Sequence, residues 1–375
     1  MKFKVKTDDI NYALSMCLRA ISARPVKQIY EGVLIEAYEN SLELTATDGE
    51  IAVRARVEAD VADEGRTLLP AKLFGDLMRY QPAGEVEISV DDRGRAQIKN
   101  RGTNSNMVSM DCGDFPDIEE IQGGTEVYVN CARLKDAISK VMFAVSTDES
   151  RKILTGVLME VYPHETMLVG LDGFRLAVQR IEQDNSLPEK TPEKLASVIP
   201  GKIMGEISRM LPDDADSDAQ LLFSSGRMTL VFGGVRVYAS LLTGEFIDYN
   251  KILPKNWTTE ISISREQLSN AIDRCGLMAR EGKNNLIHFS IRSEGVLEMT
   301  ANAEKGEVFE QIDIRFEGNE LNIAFNSKYL MDVIHNISTE RISMCFNTSV
   351  SPCVVKPEEG KEYLFLVLPV RIYGK

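Results

Sequence analysis

Apolar and polar positions alternate in three separate blocks of this chain, and the blocks repeat one another. Residues 32–57 read GVLIEAYENSLELTATDGEIAVRARV, and residues 156–181 read GVLMEVYPHETMLVGLDGFRLAVQRI, the same pattern 124 residues further on. Period-two alternation broken by turn residues at matching places predicts a run of strands in each copy. A weaker third copy, LIHFSIRSEGVLEMTANAEKGEVFEQIDI at 286–314, predicts strand, tight turn and strand again, without Asp-Gly at the matching place.

Upstream of each copy, apolar residues recur at three- and four-residue steps. That spacing predicts amphipathic helices over 7–22, 130–146 and 264–280. Thr7 and Ser264 are the expected N-caps, and Asp8 and Asp9 suit a helix start. Downstream, second helices are predicted over 70–81, 200–211 and 326–337. Two of them begin with Pro, which a first helical turn accepts, and all three place Lys two residues on, at Lys72, Lys202 and Lys328. Alternating strands follow, as at 86–100 and 219–242. The first two repeats close alike, with GDFPDIEEI at 113–121 and GEFIDYNKI at 244–252.

The chain therefore reads as α+β: three similar β-rich domains of about 125 residues, each with two helices. The expected domains are 1–122, 126–253 and 257–375, parted at Gly123-Gly124 and at LPKNW, 253–257. Asp48-Gly49 and Asp172-Gly173 sit between alternating strands and predict type I′ hairpin turns, which need positive φ at both central residues. Turn chemistry accounts for both aspartates, and the third copy lacks the pair. They are therefore read as turn residues and not as catalytic carboxylates.

At 375 residues, 43% of them apolar, the chain suits two or three domains with sizeable cores. The opening MKFKVKTDDI has no apolar run behind its lysines, and no stretch approaches the roughly 18 apolar residues of a membrane helix. A soluble, intracellular protein is expected. Six cysteines without CxxC spacing read as core residues in a reducing compartment. Three histidines far apart suggest no metal site, and no cofactor is expected. HExxH, P-loop, GxSxG and Cys–His arrangements are all missing, which argues against an enzyme. A structural or adhesin-like repeat protein is the other rival, and the charge distribution counts against it.

The net charge of −14 taken alone argues against nucleic acid. Its distribution reverses that reading. The six predicted helices hold 12 Lys and Arg against 8 Asp and Glu, a balance of +4, which leaves −18 for the rest. Basic helices at matching repeat positions in an acidic protein suit a polyphosphate bound without regard to sequence and sensitive to salt. Helices packed about 9 Å apart around a hole would need to number about twelve to clear a duplex of about 20 Å. Twelve helices mean two chains, a closed twofold dimer.

ARPV at 23–26, ATDGE at 46–50, GDFPD at 113–117, LDGFRLAV at 171–178, IPGKIMGEISRML at 199–211, GEFIDYNKILPKN at 244–256 and LVLPVRI at 366–372 occur in order along the whole chain. With the threefold repeat, they make it resemble the bacterial DNA polymerase III beta subunit family, the sliding clamps of replication. The resemblance implies the DNA clamp fold: a head-to-tail homodimeric ring of six domains, helices lining the hole, without enzymatic activity. It implies as partners duplex DNA, a clamp loader, a replicative polymerase, repair polymerases and mismatch-repair proteins, and no membrane.

Residue by residue, the resemblance implies DNA contacts at Arg24, Lys72, Arg79, Lys202 and Arg209. It implies a pocket for a short extended peptide rich in Gln, Leu and Phe. The pocket positions are Leu154, Leu171, Gly173, Phe174, Arg175, Leu176, Ile247, Lys251, Ile252, Leu366, Val367, Leu368, Pro369, Val370, Arg371 and Ile372. These are mostly aliphatic with a few polar groups, as a peptide-anchoring groove requires. The tail LFLVLPVRI reads as a strand that ends as a pocket wall, with Pro369 marking where pairing stops. Met107, Leu277 and Met278 match apolar positions of the ring seam. The chain departs from the common family pattern at Leu171 (often Thr), Phe174 (often His), Ile247 (often Pro) and Lys251 (often Arg), which makes the pocket more apolar than usual.

Overall fold

The structure, a computed structural model, describes residues 1–185, 187, 194–282 and 285–371. The first repeat runs β1 (Lys2–Lys6), α1 (Thr7–Cys17), β2 (Gly32–Tyr38), β3 (Ser41–Thr47), β4 (Ile51–Glu58), β5 (Asp60–Asp63), β6 (Gly65–Pro70), α2 (Ala71–Arg79), β7 (Glu85–Val90), β8 (Arg95–Asn100) and β9 (Thr103–Val108). The second runs β10 (Thr125–Asn130), α3 (Cys131–Met142), β11 (Gly156–Val161), β12 (Glu165–Leu171), β13 (Arg175–Glu182), β14 (Leu195–Pro200), α4 (Gly201–Met210), β15 (Asp218–Ser224), β16 (Arg227–Phe232) and β17 (Val235–Ser240). The third runs β18 (Thr259–Ser264), α5 (Arg265–Glu281), β19 (Leu286–Arg292), β20 (Val296–Ala303), β21 (Gly306–Asp313), β22 (Arg315–Gly318), β23 (Leu321–Asn326), α6 (Ser327–His335), β24 (Arg341–Phe346), β25 (Cys353–Pro357) and β26 (Tyr363–Val367). Each repeated block forms three strands, the third block adding β21 beyond the two strands expected there, and each helical pattern forms its helix.

By spatial contact the described chain falls into two compact units. The first holds residues 1–135, 187 and 206–241; the second holds 136–185, 194–205 and 242–371. The first unit contains a five-stranded sheet, β5-β1-β7-β8-β9, and an eight-stranded one, β10-β15-β16-β17-β4-β3-β2-β6. The second contains a nine-stranded sheet, β14-β11-β12-β13-β26-β25-β24-β18-β22, and a four-stranded one, β21-β20-β19-β23. In each long sheet the last strand of one repeat pairs with the hairpin of the repeat before it. Val235 stands opposite Ala55, and Arg175 stands opposite Val367.

The helices bury one stripe each. Ile10, Ala13, Leu14 and Cys17 of α1, Phe74 and Met78 of α2, and Leu330, Val333 and Ile334 of α6 are buried, as their three- and four-residue spacing requires. Gly75 lets α2 approach closely: a Cβ there would lie 2.8 Å from Leu18 Cδ1. Ser264 caps α5, accepting from the Gln267 N–H at 3.5 Å. Asn326 caps α6, accepting from the Lys328 N–H at 3.0 Å.

Three local expectations change. Thr7 is not an N-cap: Lys6 holds that position without a side-chain bond, and Thr7 opens the helix. The Thr7 hydroxyl points away from the helix and donates to the Pro82 and Gly84 carbonyls at 3.1 and 2.8 Å. Pro70 and Pro200 end strands, opposite Gly32 and Gly156, instead of sitting in a first helical turn. A strand leads straight into each helix there, so a residue without an N–H closes the ladder at no cost.

The Asp-Gly turns are the third correction. They are hairpins, but only Gly49 and Gly173 take positive φ, +93° and +94°. Asp48 and Asp172 precede the turn, and Gly occupies its first central position, the type II′ placement and not type I′. The aspartate side chain decides this by bonding forward to the backbone of the turn.

Candidate functional site

In the second unit, the turn from Asp172 to Arg175 places several of the expected pocket residues. The Asp172 carboxylate accepts from the Phe174 and Arg175 N–H groups at 2.8 and 3.0 Å, and the Asp172 N–H donates to the Arg175 carbonyl at 3.3 Å. Gly173 is required there by its φ. An added Cβ would also come within 3.1 Å of Arg151 Nη1.

The turn delivers Arg175 into the protein, only 9% exposed. Its Nε donates to Asp172 Oδ2 at 3.0 Å, and its Nη1 donates to Asp332 on α6. The guanidinium also lies 5.4 Å from the centre of the Phe143 ring and 4.8 Å from that of Tyr329. Two carboxylates and two aromatic faces hold this cation in one place. Phe174 goes the other way: it is 53% exposed and stacks on Tyr329 with ring centres 5.6 Å apart.

Beside the turn, Leu154, Leu171, Leu176 and Leu366 belong to one buried apolar cluster that includes Tyr249 and Val354; Ile153, Phe246, Leu253 and Leu368 pack against it from the surface. Leu176 stands opposite Leu366 across the sheet. Val367 is buried and ends β26, two residues before Pro369. Beyond it, the Leu368 N–H donates to the Phe174 carbonyl at 2.9 Å and the Val370 N–H to the Ala324 carbonyl at 2.8 Å. Pro369 and Val370 are half-buried and Arg371 is exposed. Ile372 lies outside the described residues.

The segment 244–252 is pinned by Tyr249, whose hydroxyl donates to the buried Glu160 at 2.6 Å. Burial, and then the bond to Glu160, push the Tyr249 pKa up, so it remains a donor. Glu160 also takes an ion pair from Lys194. Around this anchor, Ile247 and Ile252 stay outside the buried cluster, and both are exposed. Lys251 pairs with Asp248 at 3.2 Å and holds that carboxyl below the usual range.

The expected DNA-facing residues are all exposed. Lys72 and Arg79 on α2, and Lys202 and Arg209 on α4, are each seven residues apart, two turns, and so share a face opposite the buried stripe. Arg79 pairs with Asp76 at 3.2 Å and Arg209 with Glu206 at 2.6 Å. Exposed pairs of this kind hold little energy and yield readily to a phosphate. Arg24 stands in the irregular segment after α1.

The three apolar seam positions differ. Met107 lies on β9, the outermost strand of its sheet, and is 8% exposed. Leu277 on α5 is 66% exposed, and Met278 is half-buried. Packed against α5, β21 is the outermost strand of the four-stranded sheet and carries Phe309, 58% exposed. Arg274 on α5 grips Glu310 of β21 with two bonds, 2.6 and 2.8 Å. Among the described residues there is no cluster of three or more His, Cys, Asp or Glu suited to a metal. Nor is any helix long and apolar enough to cross a membrane.

Three family models match in succession: the N-terminal, central and C-terminal domains of the DNA polymerase III beta subunit, at residues 1–119, 128–248 and 250–371. The beta sliding clamps of Staphylococcus epidermidis and Staphylococcus aureus are each 30% identical over 382 aligned residues, covering 100% of both chains. The chain belongs to the beta sliding clamp family. Among solved clamps, that of Bacillus subtilis superposes with a TM-score of 0.93 at 28% identity, covering 100% of both chains. A beta subunit from Eubacterium rectale gives 0.94 at 26% identity, with 99% of this chain and 100% of that one covered.

Sequence reading missed several residues that hold the candidate site in place. Asp332 and Tyr329 come from α6, more than 150 positions from Arg175, and no local pattern links them. Tyr249 was within reach: it is the tyrosine of the GEFIDYNKI motif. Glu160 is the odd charged residue in an otherwise apolar strand, GVLMEV, a signal of a buried paired charge.

Proposed function

We propose that this chain is a DNA sliding clamp. It closes as a head-to-tail homodimer around duplex DNA, slides without sequence preference, and tethers polymerases through the apolar site of the second unit. The observation that carries this reading is the full-length likeness to sliding clamps in sequence and in fold. The chain divides into clamp domains at 1–122, 126–253 and 257–375. Arg24, Lys72, Arg79, Lys202 and Arg209 act as mobile counter-charges to phosphates, which permits sliding instead of parking on a sequence. The ring needs a clamp loader to place it on DNA and works without enzymatic turnover of its own.

Leu154, Leu171, Leu176 and the tail from Leu366 to Arg371 form the floor and wall that take a Gln/Leu/Phe-type peptide of replicative and repair polymerases or mismatch-repair proteins. Phe174, Ile247 and Ile252 supply exposed apolar contacts, which suits an anchor-in-groove peptide. Met107 of one protomer meets Leu277 and Met278 of the next. The outermost positions of β9 and β21 and the exposure of Leu277 and Phe309 support that seam.

The test is retention on nicked circular plasmid after assembly by a clamp loader. The chain should remain bound to the circle and run off once the plasmid is linearised. Arg24→Glu with Lys202→Glu should weaken retention and leave anisotropy binding of a Gln/Leu/Phe peptide intact; equal loss of both would count against separate sites. Leu277→Asp with Met278→Asp should give monomers by light scattering, and an unchanged dimer mass would remove the seam as drawn.

A further inference from the structure

The first unit contains a second site built on the same plan. The turn Asp48 to Ile51 repeats Asp172 to Arg175: the Asp48 carboxylate accepts from the Glu50 and Ile51 N–H groups at 3.0 and 3.1 Å. Ala52 stands opposite Tyr238 as Leu176 stands opposite Leu366. The Ser240 N–H reaches the Glu50 carbonyl at 3.5 Å, as the Leu368 N–H reaches that of Phe174 at 2.9 Å. GDFPDIEEI supplies a flanking segment as GEFIDYNKI does, placing Pro116 where the other site has Ile247.

A cavity of about 350 Å³ opens at this place, lined by Tyr30, Ile51, Pro116, Ile118, Met228 and Thr229 among others. Thr229 is 4% exposed, and its hydroxyl has no hydrogen-bond partner. A buried hydroxyl left without a partner costs stability unless a ligand or water satisfies it. Glu50, Asp117 and Glu119 border the opening against one cation, Arg227, which pairs with Glu119 at 3.1 Å. Glu120 is already taken by Arg54, Arg236 and the Tyr238 hydroxyl, at 3.2, 3.0 and 2.7 Å.

We propose that this cavity is a second peptide-docking site, taking a short extended peptide with an apolar anchor flanked by Lys or Arg. The buried Ile51, Ala52 and Met228 side chains in its lining and the volume fit one apolar anchor within a more polar mouth. The acidic border selects a basic neighbour, and Thr229 meets a backbone or side-chain group of the anchor. The occupant class rests on reading the second-unit site as a peptide site; the geometry of the cavity does not.

The test crosses two peptides with two variants of the full chain. The probes are fluorescein-labelled, end-blocked Arg-Ala-Leu-Phe-Ala-Lys and a Gln/Leu/Phe-type peptide, followed by anisotropy. Pro116→Arg should weaken the basic peptide by roughly tenfold or more and leave the other unchanged. Ile247→Arg should do the reverse. Thr229→Val should weaken the basic peptide by roughly fivefold, with Thr229→Ser restoring it. The proposal is overturned if the basic peptide fails to bind, if it survives Pro116→Arg, or if Ile247→Arg removes it. Failure of the Gln/Leu/Phe peptide alone would strike the reading of the second unit and leave this one standing.

Discussion

The two Asp-Gly turns have the same backbone and different contents. In both, the aspartate carboxylate caps two N–H groups, and a glycine near φ +94° makes the bend. The residue that closes the turn is Ile51 in the first unit and Arg175 in the second. Ile51 is buried as one more apolar side chain, whereas Arg175 is buried as a cation between Asp172, Asp332 and two aromatic rings. Glu50 stands where the other turn has Phe174, and Thr47 where it has Leu171. The duplicated backbone is thus a scaffold, and a few substitutions on it decide whether the adjoining site presents acid or aromatic surface.

The largest expected effect separates the two closings. Arg175→Ala leaves two carboxylates facing each other without their cation and should cost roughly 3 kcal/mol in urea unfolding. Adding Asp332→Asn should recover about 1 kcal/mol or more of that loss, because the two residues are directly coupled. Ile51→Ala should cost about 2–3 kcal/mol by leaving a cavity, and no polar substitution nearby should rescue it. If Asp332→Asn gives no recovery, the buried cation is not what distinguishes the second turn.

A smaller effect tests what the turns share. Gly49→Ala and Gly173→Ala should each cost about 1–2 kcal/mol, because a Cβ is disfavoured at positive φ. Gly173→Ala should be the worse of the two, since its Cβ also presses on Arg151 while Gly49 meets only the Tyr30 ring at 3.4 Å. A difference above about 1 kcal/mol would mean the scaffolds are not equivalent.

How much of this was legible in the sequence follows from the range of the forces involved. Strand blocks, helices and repeat order were readable because period and turn residues are local signals. The turn type was not, since I′ and II′ hairpins share the Asp-Gly signature and differ in which residue precedes the bend. The Thr7 cap failed for the same reason: two carbonyls at 82 and 84 outbid the helix N–H groups, and only the folded chain brings them there. The apolar members of the second-unit site, Leu171, Leu176 and Leu366, were visible as strand residues. Their neighbours Asp332 and Tyr329 were not, because a buried ion pair is specified by geometry across 157 positions and not by spacing.

The smallest expected effect concerns how each turn's neighbouring helical segment is held. Gln28–Glu31 in the first unit has Lys27 at its N-cap and no side-chain bond. Glu149–Thr155, which carries Leu154, is capped by Asp148, whose carboxylate accepts from the Ser150 N–H at 3.0 Å and the Ser150 hydroxyl at 2.7 Å. Those bonds, the hydroxyl's first, hold the Asp148 carboxyl below the usual range. A depressed folded pKa means that the cap's contribution is fully present above the ordinary aspartate value of about 3.9 and is lost as pH falls through the folded value. Below about pH 4, then, the Ser150 amide should shift and exchange faster in NMR, while amides of 28–31 show no matching step. Asp148→Asn keeps an acceptor without a titrating proton and should flatten the Ser150 step. A step that survives in Asp148→Asn, or an equal one at 28–31, would mean the two segments are held alike, and the contrast between the sites would then reside in the turns alone.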